Sequence, residues 1–350
     1  MIQMAKISVK IASLILCLFL LSCGTGKKKL PNDFEKLTTI IDSIALVHQF
    51  NGVILINQNK DFIYKKAWGY SNLQTQKKLS TDDLFYIGSI SKQVTAVMIL
   101  QAYEKKQLLL TDKLVKYLPD IRQSWVKEIT IHHLLTHTHG IVAIDQPLEF
   151  TPGSQFHYSQ IGFGLLSQIL EKINGRSFKE QSTELFANYG LQHTFHPENK
   201  VYSNLVIGYE ENEKGEMELA EGNPVEYIAA GGFISNADDL AKWNTLLHSG
   251  ELVNPETLNL MKTRYATREH PVFNQIEYGY GLLFKEGEEH KQIGAFGYVP
   301  GFPTANYYYP ETGISLVILE NTAQSLSDFT ITFKVHTELM DLIKQWKEMD

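Results

Sequence analysis

The sequence predicts an α+β protein: one antiparallel sheet flanked by helices, built from both ends of the chain, with a mostly helical lobe between. Three observations predict it. Strand-like runs lie near the N-terminus, at residues 50–57 and 61–69, and near the C-terminus, at 281–285, 291–295, 304–309 and 314–320. The stretch between them carries apolar residues at helical spacing. A last helical segment, 325–347, closes the chain. With 350 residues there is room for one large domain or two intimate subdomains.

The first segment is read as outside the fold. Lys6 and Lys10 precede an apolar run at 11–21, and Leu20-Leu21-Ser22-Cys23 follows. A short apolar run behind lysines, ending at a small residue, predicts a cleavable export signal over 1–22. The tetrapeptide resembles the lipobox of bacterial lipoproteins, which makes Cys23 the acylated residue and implies a membrane-anchored, cell-envelope protein. The alternative is an uncleaved anchor, but eleven apolar residues fall short of the roughly 20 that a spanning helix needs. Residues 23–33 form a polar tether, with Lys27, Lys28 and Lys29 placed to lie against a membrane surface. Cys17 and Cys23 are the two cysteines, so the mature chain has no thiol left for a disulfide or for catalysis.

The domain then spans 34–350, with 34–88 and 280–350 supplying the sheet part and 89–279 the helical lobe. Phe34, Leu37, Ile40, Ile41, Ile44 and Val47 recur at helical spacing. Residues 50–57 and 61–69 form a hairpin around Gln58-Asn59-Lys60. Residues 84–88 lead into a helix at 89–105. Further helices are predicted at 129–137, ending at Gly140, at 160–173 with Gly175 as its cap, and at 237–248. Pro310-Glu311-Thr312-Gly313 is a turn between the last two strands. Removing the leader leaves 30 basic against 39 acidic residues, a balance of −9 that argues against a nucleic-acid-binding surface.

Ser89-Ile90-Ser91-Lys92 is the first chemical constellation. Three residues apart on a helix, a serine and a lysine share a face. Serine needs a base to become a nucleophile, and burial lowers a lysine from about 10.4 towards neutrality. The spacing alone is weak, because Ser124-Trp125-Val126-Lys127 has it too. Context separates them: Ser89 follows a strand-like run and opens an apolar helix, whereas Ser124 follows Pro119-Asp120 in a loop.

Around Ser89, the segment Tyr86-Ile87-Gly88-Ser89-Ile90-Ser91-Lys92-Gln93-Val94-Thr95-Ala96 resembles the nucleophile region of the class C β-lactamase-like serine hydrolases. That family includes β-lactamases, D-alanyl-D-alanine carboxypeptidases and carboxylesterases. Four further segments match in order: 129–140, 150–160 with Tyr158-Ser159-Gln160, 231–240, and 294–302. The resemblance implies the penicillin-recognising (β-lactamase/transpeptidase-like) fold. It implies a serine hydrolase that forms an acyl-enzyme, with catalytic Ser89, Lys92 and Tyr158 and with the backbone N–H groups of Ser89 and Tyr298 as oxyanion hole. Gln160, Ala295, Phe296 and Gly297 fall at the substrate-binding motifs. With 17 tyrosines in the chain, only this motif context lifts Tyr158 above a structural tyrosine.

Two positions depart from the family pattern. Gln160 stands where the family has Asn, with the same head group on one more methylene. Ala295 stands where the family has Lys or His, so no side chain there attracts a carboxylate. Neutral esters and amides should therefore suffer less than β-lactams or peptide C-termini. The alternative function is a binding protein on a degraded hydrolase scaffold. His132, His133, His137 and His139 are dense, but the Glu of a zinc-helix motif is absent, and neither metal nor cofactor is expected. No Gly-x-Ser-x-Gly nucleophile elbow occurs. The expected partners are a small-molecule or peptide substrate and the membrane reached through Cys23.

Overall fold

Strand patterning at both chain ends resolves into one eight-stranded sheet in which every pairing is antiparallel. The computed structural model describes residues 32–347 apart from 60, 224–225, 286 and 288–291. The expected leader, Cys23 and the tether up to residue 31 lie outside the described residues. We number the large sheet's strands β1 (Gly52–Gln58), β2 (Asp61–Trp68), β3 (Ala266–His270), β4 (Asn274–Tyr278), β5 (Leu283–Lys285), β6 (Ile293–Val299), β7 (Phe302–Tyr309) and β8 (Ile314–Glu320). Their spatial order is β2-β1-β8-β7-β6-β5-β4-β3. The N-terminal hairpin therefore lies against the last strand, with Gly52 opposite Glu320 and Gln58 opposite Ile314.

Because side chains alternate along a strand, the two faces of this sheet belong to two cores. Val53, Leu55, Val317 and Leu319 pack into the larger core with the helical region. Ile54, Ile56, Leu316 and Ile318 pack on the other side against α1 (Asn32–Val47) and α9 (Lys334–Lys347). Phe34 and Trp346, with ring centres 5.1 Å apart, join those two helices. α2 (Ser91–Glu104) is buried on every side from Ser91 to Leu100, as befits a helix at the centre of a domain. It packs against α4 (Gln160–Asn174) and a single π-turn, Ile228–Gly232.

Several boundaries differ from expectation for identifiable reasons. The sheet takes in chain from Ala266 rather than from about 280. β3 and β4 escaped the patterning because Thr267, Glu269, Asn274 and Gln275 are exposed polar residues. α3 spans only Ile131–Leu135: Thr130 caps it by accepting the His133 N–H, and His137 ends it in the left-handed region at φ 57°. The C-terminal helix starts late because Asp328 caps a short α8 (Phe329–Thr332) and α9 follows. β6 runs on to Val299, since the chain turns only at Gly301, at φ 79°. α5 (Phe178–Asn188), with its Ser177/Glu180 capping box, α6 (Ala237–His248) and α7 (Pro255–Lys262) complete the helices named here. Of these, α6 matches its predicted span, whereas α5 and α7 were not anticipated.

Candidate active site

Ser89 does not open α2 itself; it sits in a single 3₁₀ turn, Gly88–Ile90, just before it. Gly88 holds a left-handed conformation at φ 52°. A Cβ there would lie 2.5 Å from the Tyr298 backbone nitrogen, and a Cβ on Gly297 would lie 2.1 Å from the Ile87 oxygen. Only glycines let the Ser89 turn and β6 approach this closely. Thr304 on β7 ties the seam, its hydroxyl reaching Ile87 O at 3.1 Å and Gly297 O at 3.2 Å. The Ser89 turn is thereby held beside the backbone N–H of Tyr298.

Lys92 reaches Ser89 from one helical turn away and is 1 % exposed. Its Nζ donates to Ser89 Oγ at 3.3 Å, to Gln160 Oε1 at 2.7 Å and to Ala230 O at 2.8 Å. All three ammonium hydrogens thus have acceptors. Burial pushes the ammonium below its ordinary range, against the pull of Tyr158. Tyr158 arrives on the segment before α4, and its hydroxyl lies 2.6 Å from Ser89 Oγ. Burial alone would raise the phenol, but the charge and hydrogen bond of Lys92, helped by Ser89 and Arg268, bring it below its ordinary value. A lysine and a tyrosine displaced towards each other share one proton with the serine between them.

The other predicted positions sort as follows. Gln160 is the first residue of α4, and its head group reaches the Lys92 ammonium despite the extra methylene. Ala295 faces the larger core and is 3 % exposed. Phe296 points the opposite way and packs among Phe273, Tyr307 and Phe333, so its side chain cannot line the site. The adjacent-residue alternation of a strand makes this unavoidable once Ala295 faces the larger core and Gly297 the Ile87 backbone. Ser124 and Lys127 are both exposed around a buried Trp125, far from such an arrangement.

The four histidines have structural partners. His132 Nδ1 meets the Tyr280 hydroxyl at 2.8 Å, and His133 completes the cap of α3. His139 Nδ1 accepts from Ile141 N–H. His137 Nδ1 accepts from Ser159 N–H at 3.2 Å, Nε2 meets the Tyr278 hydroxyl at 3.1 Å, and its ring lies 4.5 Å from that of Tyr158. No group of three or more metal-ligating side chains occurs among the described residues. Three contributors had no motif to reveal them: the Ala230 carbonyl, the Thr304 hydroxyl and Arg268, whose guanidinium lies 4.9 Å from the Tyr158 ring centre.

The Beta-lactamase family profile matches residues 44–339, most of the chain. The chain belongs to the Beta-lactamase family. It is a serine hydrolase with the penicillin-binding protein/β-lactamase-like fold, acting through an acyl-enzyme on an ester or amide. It is 26% identical over 336 residues to a penicillin-binding protein of Bacillus subtilis (strain 168), covering 83% of this chain and 72% of the relative. It is 25% identical over 291 residues to the teichoic acid D-alanine hydrolase of Staphylococcus aureus, covering 78% and 72%. Among solved structures, D-amino acid amidase from Ochrobactrum anthropi SV3 superposes with a TM-score of 0.78 at 18% identity, over 90% of this chain and 99% of that one, a likeness of fold. Of the two positions expected to depart from the family pattern, Gln160 accepts from the Lys92 ammonium and Ala295 is a buried methyl.

Proposed function

We propose that Ser89 is the nucleophile of this hydrolase, that Lys92 and Tyr158 move its proton, and that the backbone N–H groups of Ser89 and Tyr298 hold the oxyanion. One observation carries the reading: the Tyr158 hydroxyl and the Lys92 ammonium both converge on Ser89 Oγ, at 2.6 and 3.3 Å. Ser89 Oγ bonds to the substrate carbonyl carbon as its proton passes to Tyr158 Oη. The carbonyl oxygen takes the negative charge, where preorganised donors stabilise it. Collapse breaks the bond to the leaving group, which takes the proton from Tyr158. Water then attacks the acyl-serine, gives its proton to Tyr158, and Tyr158 returns it to Ser89.

The substrate class follows from Ala295. With a buried methyl in place of a cation, the favoured acyl donors are esters or amides with no carboxylate next to the scissile bond. D-Alanine, the group named in the staphylococcal relative, meets that condition when its carboxyl is held as an ester or amide, since it then carries an ammonium and no free carboxylate. The envelope address rests on the Leu20-Leu21-Ser22-Cys23 lipobox, with Cys23 as the lipid-bearing residue and the 23–33 tether holding the domain at the membrane. No helix among the described residues is long and apolar enough to cross a membrane.

The test is intact-mass analysis after incubation with a fluorophosphonate, beside a panel of p-nitrophenyl short-chain esters and a chromogenic cephalosporin. Expected are one adduct, absent in Ser89→Ala, an ester turnover lowered at least about 10³-fold by that substitution, and faster turnover of esters than of cephalosporin. The absence of an adduct with any acylating probe would leave a binding protein on this scaffold. Faster cephalosporin hydrolysis would overturn the reading of Ala295.

A further inference from the structure

Tyr158 has charged or titratable neighbours on four sides. Lys92 comes from α2, its Nζ 4.7 Å from the ring centre. His137 comes from the turn after α3, and Tyr278 from β4 lies against that histidine. Arg268 comes from β3, three strands from the third motif, opposite Ile276. His157, next in sequence to Tyr158, turns to Glu149 instead. His137 contributes no charge of its own, because its Nδ1 accepts a backbone N–H and burial holds the ring well below the ordinary histidine range.

Arg268 is the unexplained member of this group. Its guanidinium lies over Tyr158 at 4.9 Å and over Phe156 at 5.5 Å. Its Nε is buried without a hydrogen-bond partner, and the nearby carboxylate of β4, Glu277, pairs with Arg264 instead. Its neighbours on β3 do not help: Glu269 is exposed, and His270 turns to the Phe273 and Phe296 rings. A half-buried cation without a counter-ion is unfavourable unless something nearby offsets it. The ring face of Tyr158 does so in part. The negative charge of a phenolate would do so more fully.

We propose that Arg268 is a positioning residue that supplies the second positive charge beside Tyr158, holding it as the phenolate that accepts the Ser89 proton. This rests on the reading of Tyr158 as the proton acceptor. The pull of Arg268 on the phenol agrees with it, as does the reciprocal pull of Tyr158 on the guanidinium. Arg268 does not enter the bond-making steps. It acts through Tyr158, so its loss should be felt most at low pH and recovered as pH rises.

The direct readout is the ¹³Cζ resonance of labelled Tyr158, assigned by Tyr158→Phe and titrated from pH 5 to 11 in the full chain. In Arg268→Gln the midpoint should move up by about one pH unit, the lower end of what an opposite charge at this range does. Arg268→Lys should move it clearly less. The rate of Ser89 labelling by the fluorophosphonate should fall about tenfold near pH 7 in Arg268→Gln and recover at high pH. An unmoved midpoint, or equal movement in the Gln and Lys variants, would overturn the proposal. A wild type that takes no label, while its Tyr158 midpoint still responds to Arg268→Gln, would sink the catalytic reading and spare the electrostatic one.

Discussion

At the scale of single residues, the site depends as much on side chains that are missing as on those present. In the proposed mechanism Ser89, Lys92 and Tyr158 supply the reactive atoms, and the Tyr298 N–H can serve as an oxyanion donor because Gly88 has no Cβ to hold it away. Gly88→Ala places a methyl against backbone on β6 and forces an L-residue to φ 52°. Neither wall is a flexible side chain that can swing aside. The expected result is a loss of about 1–3 kcal/mol in denaturant unfolding, together with a fall of at least about 10²-fold in Ser89 labelling as one oxyanion donor is displaced. Wild-type labelling in this variant would mean that Tyr298 N–H is not a donor to the intermediate.

At the scale of elements, the site is a seam between the Ser89 turn, the π-turn at Ile228–Gly232 and the β6–β7 pair. Thr304 is the stitch that can be cut without changing shape. Thr304→Val removes a hydroxyl shared by two buried carbonyls, at a cost of about 1–3 kcal/mol. Because the same bonds hold the Ser89 turn against β6, ester turnover should fall by more than stability alone explains, and Thr304→Ser should restore both. Equal activity in Val and Ser variants would show that the seam holds without it. These elements also show what the sequence could and could not reveal. Ser89 and Lys92 were legible because their spacing is a property of one helix. Tyr158 was legible through its motif, and the central strands and α4 through uninterrupted apolar patterns. The reach of Gln160 depended on a rotamer, which a sequence does not contain. Arg268, Thr304 and the Ala230 carbonyl come together only when strands from distant parts of the chain pack, and the exposed polar residues of β3 hid the strand that carries Arg268.

At the scale of the whole molecule, the fold has stored much of its pH sensitivity in buried imidazoles. His137, His139, His196, His270 and His336 are each less than 9 % exposed. Burial holds His139, His270 and His336 at about 3 and His196 at about 4, with His137 also well below its usual value. An unfolded chain protonates these rings near 6.5, and the native chain refuses the proton until far lower. Their contribution is therefore whole above pH 6.5 and is lost as pH falls below it. Each neutral ring gives a slope of at most about 1.4 kcal/mol per pH unit in that window. Glu320 works the other way. Its carboxyl is raised by burial, so its contribution is present at low pH and lost as pH rises above the unfolded value near 4.3. Its oxygen lies 3.9 Å from His336 Nδ1, near enough for a charged Glu320 to favour protonation of that ring and remove part of the His336 effect. Four to five effective histidines remain, a slope of at most about 5–7 kcal/mol per pH unit below pH 6. For a domain of ordinary stability this is enough to unfold it near pH 5, above the range where carboxylates alone would act. Denaturant midpoints measured from pH 8 to 4.5 should stay level to about 6.5 and then fall steeply. His196→Gln should flatten the fall by about 1.4 kcal/mol per pH unit. A wild-type midpoint that stays level down to pH 5 would mean that these rings take up protons inside the native fold, and that the packing around them, including the contact of His137 with Tyr158, yields to a charge.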